Sequence, residues 1–141
     1  MKSLFAFAFP LLLTAVAGAQ TCNFQLFGRP CGGNLAGQQV TTPTAQGIRF
    51  DGSGLAPGAI AILVLGQQAA APIALPGSTC QLLVQHSNTV VAQADRTNAV
   101  MFRFPMPARL PITADFQIVT IGFTRNGRIA ESTNGVTIAC R

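Results

Sequence analysis

Short apolar or alternating runs recur along the chain, and clusters of glycine, proline, asparagine and serine separate them. No window shows the sustained period of about 3.6 residues, with caps, that an amphipathic helix requires. Such runs with such punctuation are typical of all-β domains, because strands are short and turns use residues that tolerate unusual backbone angles. The pattern predicts strands near residues 22–28, 46–51, 59–66, 80–86, 89–94, 98–104, 115–124, 128–131 and 135–140.

Individual runs indicate where some strands lie in the fold. Val100, Phe102 and Phe104 alternate with less apolar neighbours, so one face of that strand is expected in the core. Residues 59–66 (AIAILVLG) are apolar on both faces, which favours a central strand over the alternative, a helix. If this run is not fully buried, it is a candidate contact patch between copies.

Turn residues predict how two of the runs end. Asn126-Gly127 separates two runs, and both residues tolerate the positive φ that a two-residue hairpin turn needs. Residues 104–111 (FPMPARLP) contain three prolines, which predicts a connection or an exposed edge. About eight short strands in a chain of this size predict an antiparallel β-sandwich rather than a closed barrel.

The N-terminal segment has the pattern of a secretory signal peptide. Lys2 precedes an apolar run, and Ala17-Gly18-Ala19 supplies the small residues that a signal peptidase reads. A membrane anchor is the weaker interpretation, because the run is short and interrupted by Pro10. We therefore expect a signal peptide over residues 1–19 and one domain over residues 20–141, without a membrane span. The protein is expected to be secreted, whether extracellular, periplasmic or at the cell surface.

The predicted mature chain is mildly basic. It has no lysine, and its eight arginines outnumber four acidic residues, for a net charge of +4. A nucleic-acid interface would need a clustered basic stripe with interleaved aromatic residues, so nucleic acid is not an expected partner. The arginines are instead scattered over positions 29, 49, 96, 103, 109, 125, 128 and 141.

The cysteines are the residues of the chain with the clearest predicted role. Four cysteines in a secreted protein indicate two disulfides, which can connect in three ways. A metal site is the alternative, but no Cys-x-x-Cys pair occurs and few other ligands are available. The predicted disulfide residues are Cys22, Cys31, Cys80 and Cys140.

Cys80 and His86, the one histidine, could be read as a nucleophile and its base. If residues 80–86 form one strand, the two residues lie about 20 Å apart at roughly 3.3 Å per residue. A working dyad needs contact at about 3 Å. We therefore interpret Cys80 as a disulfide cysteine and place His86 at a strand end, beside a turn at Ser87-Asn88.

Other catalytic patterns lack the residues that they need. The four carboxylates each lie beside a glycine or at a predicted strand end, where exposed carboxylates are ordinary. The glycine-rich stretch at residues 31–37 has no Gly-Lys-Ser/Thr after it, which argues against a phosphate loop. Without tryptophan or tyrosine, an aromatic sugar platform is not favoured. We therefore expect no catalytic, metal or cofactor residues, and no enzyme. The carboxylates are Asp51, Asp95, Asp115 and Glu131.

Several phrases, taken in order, resemble small Gly/Pro-rich domains of secreted proteins from planctomycete-type bacteria. These phrases are GSGLAPGAIAILVLG (52–66), LPGSTCQLLVQ (75–85), FRFPMP (102–107), FQIVTIGF (116–123) and STNGVTI (132–138). The resemblance implies secretion and an all-β fold, and it supplies no catalytic residues. It further implies that Cys31 pairs with Cys80. Cys22 and Cys140, which look like additions near the chain ends, would then pair with each other.

These observations favour a non-catalytic, secreted structural or interaction module. Its expected partner is an extracellular protein or a polysaccharide. The alternative is a ligand-binding module for acidic polysaccharide that uses surface arginines, with Arg125 and Arg128 beside the predicted hairpin as contributors.

Overall fold

The computed structural model describes residues 20–125 and 127–141, and within them all regular structure is β-strand. The prediction of an all-β fold with about eight strands is confirmed, although five of the strands are longer than predicted. The strands are β1 (Cys22–Phe27), β2 (Asn34–Thr41), β3 (Gln46–Ser53), β4 (Ile60–Ala74), β5 (Gln81–Gln93), β6 (Val100–Pro105), β7 (Ile112–Thr124) and β8 (Gly127–Cys140).

The strands form two antiparallel sheets that pack as a sandwich. The larger sheet has the order β1-β8-β7-β4-β5, and the smaller has the order β2-β3-β6. β4 lies between β7 and β5, which confirms that the apolar run at residues 59–66 belongs to a central strand. The proline-rich residues after β6 form a connection, also as predicted.

The main core lies between the two sheets and is centred on Phe50. Side chains alternate along β3, so Ile48 and Phe50 are buried against the larger sheet. The ring of Phe50 stacks on Phe116 of β7, with centroids 4.3 Å apart. Phe24 and Phe104 approach the same ring edge-on, at 6.4 and 6.1 Å. Offset and edge-to-face contacts of this kind are favourable beyond the area that they bury.

A second, smaller apolar cluster lies on the other face of the larger sheet. Val64, Val84 and Val119 are buried there, because a crossing segment, made of Cys80 and the first residues of β5 (80–83), lies over β7 and β8. The larger sheet therefore has a covered region on both faces. Partly buried apolar residues complete this outer cluster, namely Phe27, Ile62, Leu75 and Leu82.

Two disulfides fix the first strand, the last strand and this crossing segment. Cys22 and Cys140 are directly opposite on β1 and β8 and are bonded to each other. Cys31 is bonded to Cys80, immediately before β5. Both predicted pairings are therefore confirmed, and the four cysteines are buried or half-buried.

A buried polar network replaces the regular ladder where the crossing segment meets β7 and β8. The Gln117 side chain is fully buried, and its Oε1 accepts a hydrogen bond from the Leu83 amide at 2.6 Å. Its Nε2 donates to the carbonyls of Thr133 at 2.7 Å and Gln81 at 3.2 Å. The Ser132 hydroxyl also donates to the Gln81 carbonyl. Among the described residues, no buried side-chain nitrogen or oxygen lacks a hydrogen-bond partner.

The strand β2 was not among the strands predicted from the sequence, and its first residues belong to the glycine-rich stretch at residues 31–37. Leu35 is the one fully buried residue of β2, so the strand has little apolar signal. Gly37 is used for close packing, since a Cβ atom there would lie 2.6 Å from the Phe24 ring and 3.1 Å from the Phe50 ring.

Two pairs of predicted strands are in fact single strands with a β-bulge. The predicted strands at 80–86 and 89–94 are both parts of β5 (Gln81–Gln93), in which Ser87 is the extra residue between the pairs Leu65–Asn88 and Gly66–His86. A Cβ atom at Gly66 would lie 1.8 Å from the Gln85 carbonyl oxygen, so only glycine fits this close approach. Residues 128–131 and 135–140 likewise belong to β8, which has a bulge opposite Ile118.

Three further predictions concern turns and the N-terminal segment. The turn predicted at Ser87-Asn88 is absent, so His86 lies within β5 and not at a strand end. β7 and β8 form a hairpin, as predicted, but Gly127 is not one of its two loop residues: it begins β8, pairs with Thr124 and has a φ of 123°. Asn126 and the predicted signal peptide over residues 1–19 lie outside the described residues. No helix in the described part of the chain is long and apolar enough to cross a membrane.

Candidate functional site: the arginine face of the smaller sheet

The outward face of the smaller sheet brings two arginines together. Because side chains alternate along β3 and β6, the inward phenylalanines leave Arg49 and Arg103 directed outward. The strand register places Arg49 directly opposite Arg103, with Gln38 of β2 on the other side of Arg49. We call this surface the arginine face; it consists of Gln38, Arg49, Asp51, Met101 and Arg103.

The two arginines have different partners. Arg49 Nε donates to both carboxylate oxygens of Asp51 at 2.8 Å, and both side chains are about one-third exposed. Gln38 Nε2 reaches the same carboxylate at 3.4 Å. Arg103 Nε donates instead to Met101 Sδ at 3.1 Å, a weak acceptor. Among the described residues, no carboxylate lies within salt-bridge distance of Arg103, so the arginine face has a net charge of +1.

The electrostatics of this face favour an anion. Like charges directly opposite on neighbouring strands are destabilising, and only one of the two guanidinium groups is neutralised. A guanidinium presents a planar set of N–H donors that match carboxylate, sulfate or phosphate oxygens in pairs. An anionic group that bridges Arg49 and Arg103 would therefore relieve their repulsion and use free donors.

The arginines named from the sequence alone lie elsewhere. Arg125 and Arg128 are at the tip of the β7–β8 hairpin, in the larger sheet, and are exposed. They are therefore not part of the arginine face. The remaining arginines lie outside the strands, at positions 29, 96, 109 and 141.

The residues considered for catalysis do not form a shared centre. Cys80 is in a disulfide, and His86 is exposed beside an open depression of about 590 Å³ that Gly66, Ser87 and Thr113 also line. Within the described residues, no three side chains of His, Cys, Asp or Glu come together as a metal site would require.

Three of the four carboxylates, those of Asp51, Asp95 and Asp115, make hydrogen bonds or an ion pair within the fold. Asp51 binds Arg49, and Asp95 closes the turn before β6 by accepting from Thr97 and Ala99. Asp115 was expected to be an exposed strand-end residue, and this is wrong. It is 9% exposed, lies inside β7, and accepts hydrogen bonds from the Gln68 amide and the Thr137 hydroxyl.

Comparison of the chain with protein-family models, with curated proteins and with solved structures gives no match. The resemblance to secreted planctomycete-type domains therefore stays a prediction. What can be said of function rests on the geometry of the chain itself.

Proposed function

We propose that this protein is a non-catalytic, secreted interaction module, and that its arginine face binds acidic polysaccharide. The observation that carries the proposal is the placement of Arg49 opposite Arg103 on an open sheet face, with one carboxylate between two guanidinium groups. The two disulfides support a location outside the reducing cytosol, because such bonds persist in oxidising compartments. The signal-peptide pattern of residues 1–19 supports the same location.

An acidic polymer fits the shape of this surface. Neighbouring strands lie about 4.8 Å apart, so guanidinium groups on β3 and β6 can contact one acidic group or two successive ones. The surface is an open sheet face and not a closed pocket. A long polymer can therefore pass over it. The partly exposed Met101 and the exposed Gln38 can contribute apolar and hydrogen-bonding contacts beside the charges.

Retention on immobilised acidic polysaccharide, measured across a salt gradient, tests the proposal with three single variants. Arg103→Gln removes the unneutralised charge and should weaken binding about tenfold, as loss of one charged hydrogen-bonding group commonly does. Asp51→Asn raises the charge of the face from +1 to +2 and should strengthen binding. Arg128→Gln removes an exposed arginine from the other sheet and should leave binding unchanged.

The comparison of Arg103→Gln with Arg128→Gln separates a local site from general charge, because each variant removes one positive charge from the protein. If Arg103→Gln and Arg128→Gln weaken retention equally, the binding is nonspecific and the arginine face is not the site. If the unmodified protein shows no salt-sensitive retention on uronic-acid or sulfated polymers, the polysaccharide proposal is overturned, while a protein partner for the module stays open.

A further inference from the structure

The two sheets have four edge strands, and three of these edges are occupied or shielded. β1 and β2 are linked by Gln39, whose side chain accepts from the Cys22 amide at 2.9 Å and donates to the Gln20 carbonyl at 2.7 Å. The Leu35 amide and carbonyl of β2 are both bonded by the Asn134 side chain at 2.9 Å. β6 is only six residues long, contains Arg103, and ends at a proline. Short strands, charges and prolines are the usual means of blocking edge pairing.

The fourth edge, β5, lacks most of these protections. Its 13 residues, Gln81–Gln93, contain no proline and no aspartate, glutamate, lysine or arginine. Residues 85–91 are all exposed, and because side chains alternate along a strand, both faces of this part of β5 are open to solvent. Val91 is 63% exposed and Val90 is 37% exposed. A long, uncharged edge with exposed valines is a surface suited to strand pairing.

The backbone groups that face away from β4 can be assigned. The Thr89 amide donates to the Asn88 side chain at 3.0 Å and thus points to the open side. Because backbone groups alternate in direction along an antiparallel strand, Val91 and Gln93 direct their N–H and C=O groups to the same side. The bulge at Ser87 limits regular pairing to the part of β5 that follows it.

The side chains indicate which occupant fits this edge. On the outer face of the larger sheet, Val119, Ile62 and Val91 lie in one row across β7, β4 and β5. A second copy paired antiparallel with Val91 opposite its own Val91 continues this row into six branched apolar residues. The same register pairs Thr89 with Gln93 of the second copy, so the outward groups of all three positions exchange hydrogen bonds. No charge on either strand would be buried.

From this self-complementarity we propose that β5 pairs with β5 of a second copy, about a two-fold axis through Val91, to form a continuous ten-stranded sheet. The contact is one strand wide, which is small for a stable interface, so the dimer is weak and depends on protein concentration. The inference does not depend on polysaccharide binding, because the arginine face is on the other sheet.

Sedimentation of the purified, disulfide-intact protein over a range of concentrations tests the dimer. Val91→Lys places two like charges directly opposite each other and should raise the dimer dissociation constant at least about tenfold. Leu26→Lys is the matched control, because Leu26 is also 63% exposed and lies on β1, an edge strand of the same sheet. It should leave the dimer unchanged. Circular dichroism should show that both variants fold, since neither side chain is buried.

A cysteine at the proposed axis tests the register. In Val91→Cys the two copies would place Cα atoms about 5.5 Å apart, within the range that a disulfide spans. Mild oxidation should convert this variant to a covalent dimer, whereas Leu26→Cys should stay largely monomeric. A protein that sediments only as a monomer at millimolar concentration overturns the proposal. Equal cross-linking of the two cysteine variants, or a dimer that Val91→Lys and Leu26→Lys weaken equally, also overturns it.

Discussion

Replacing Gln117 by leucine should strongly destabilise the fold, although leucine has a similar size and is more apolar. The amide of Gln117 satisfies three backbone groups, from Leu83, Thr133 and Gln81. The Gln81 carbonyl keeps the Ser132 hydroxyl after the substitution, so two backbone groups lose this partner. Each buried group left without a partner costs about 1–3 kcal/mol, partly offset by the apolar side chain. We expect the free energy of unfolding to fall by about 3 kcal/mol.

Urea unfolding, followed by circular dichroism, measures this change. Gln25→Leu is the matched control, because Gln25 is exposed on β1 and its side chain has no hydrogen bond to another described residue. This variant should shift stability by less than about 0.5 kcal/mol. Gln117→Glu, which keeps the acceptor but loses the donor, should also destabilise. If Gln117→Leu costs no more than Gln25→Leu, the buried network does not hold the first residues of β5 on the sheet, and this reasoning is refuted.

Two further perturbations test the disulfides and the turn before β6. We expect the free energy of unfolding to fall by about 4 kcal/mol when either disulfide is replaced by two alanines, at Cys22 and Cys140 or at Cys31 and Cys80. The bonds close long loops, since they join residues 118 and 49 positions apart. Losses below about 1 kcal/mol in urea unfolding would contradict this. Hydrogen bonds from the Thr97 hydroxyl, the Ala99 amide and the Thr97 amide lower the pKa of Asp95. Its carboxylate should therefore stabilise the fold above the unfolded-state pKa of about 3.9, and this contribution is lost as pH falls through the lower folded-state pKa. The stability difference between the unmodified protein and Asp95→Asn should accordingly shrink in acid, and a difference independent of pH would refute the role.

Local alternation predicted the strands that carry large apolar side chains. Val100 and Phe102 are buried as the pattern indicates, and the central position of residues 59–66 follows from apolar residues on both faces. β2 was missed because only one large apolar side chain, Leu35, is buried along it. At Gly37 the backbone itself packs closely against Phe24 and Phe50, and a hydrophobicity pattern does not detect such a contact. Bulges were missed for a related reason. They arise where a neighbouring strand or crossing segment displaces the ladder, as at Gly66, and such neighbours are distant in sequence.

The same limit applies to the candidate site. Alternation alone directs Arg49 and Arg103 outward, since each lies between inward residues. Their juxtaposition depends on the register between β3 and β6, which local sequence does not contain. Proximity to a turn drew attention to Arg125 and Arg128, which the fold places on the other sheet. In the same way, Gln117 has the alternation of a surface residue and is buried because the first residues of β5 cross over it.

The two proposals lead to a further expectation. When two copies pair through β5, their larger sheets turn equivalent faces to the same side of the dimer. A two-fold axis perpendicular to that sheet leaves both smaller sheets on the same side, so both arginine faces point in one direction. A polymer long enough to reach both would then bind with avidity, since the second contact forms within an existing complex. Val91→Lys should therefore weaken retention on a dense polysaccharide matrix but leave affinity for a short acidic oligosaccharide unchanged. If it weakens both equally, the substitution disturbs the arginine face itself, and the two surfaces are not independent.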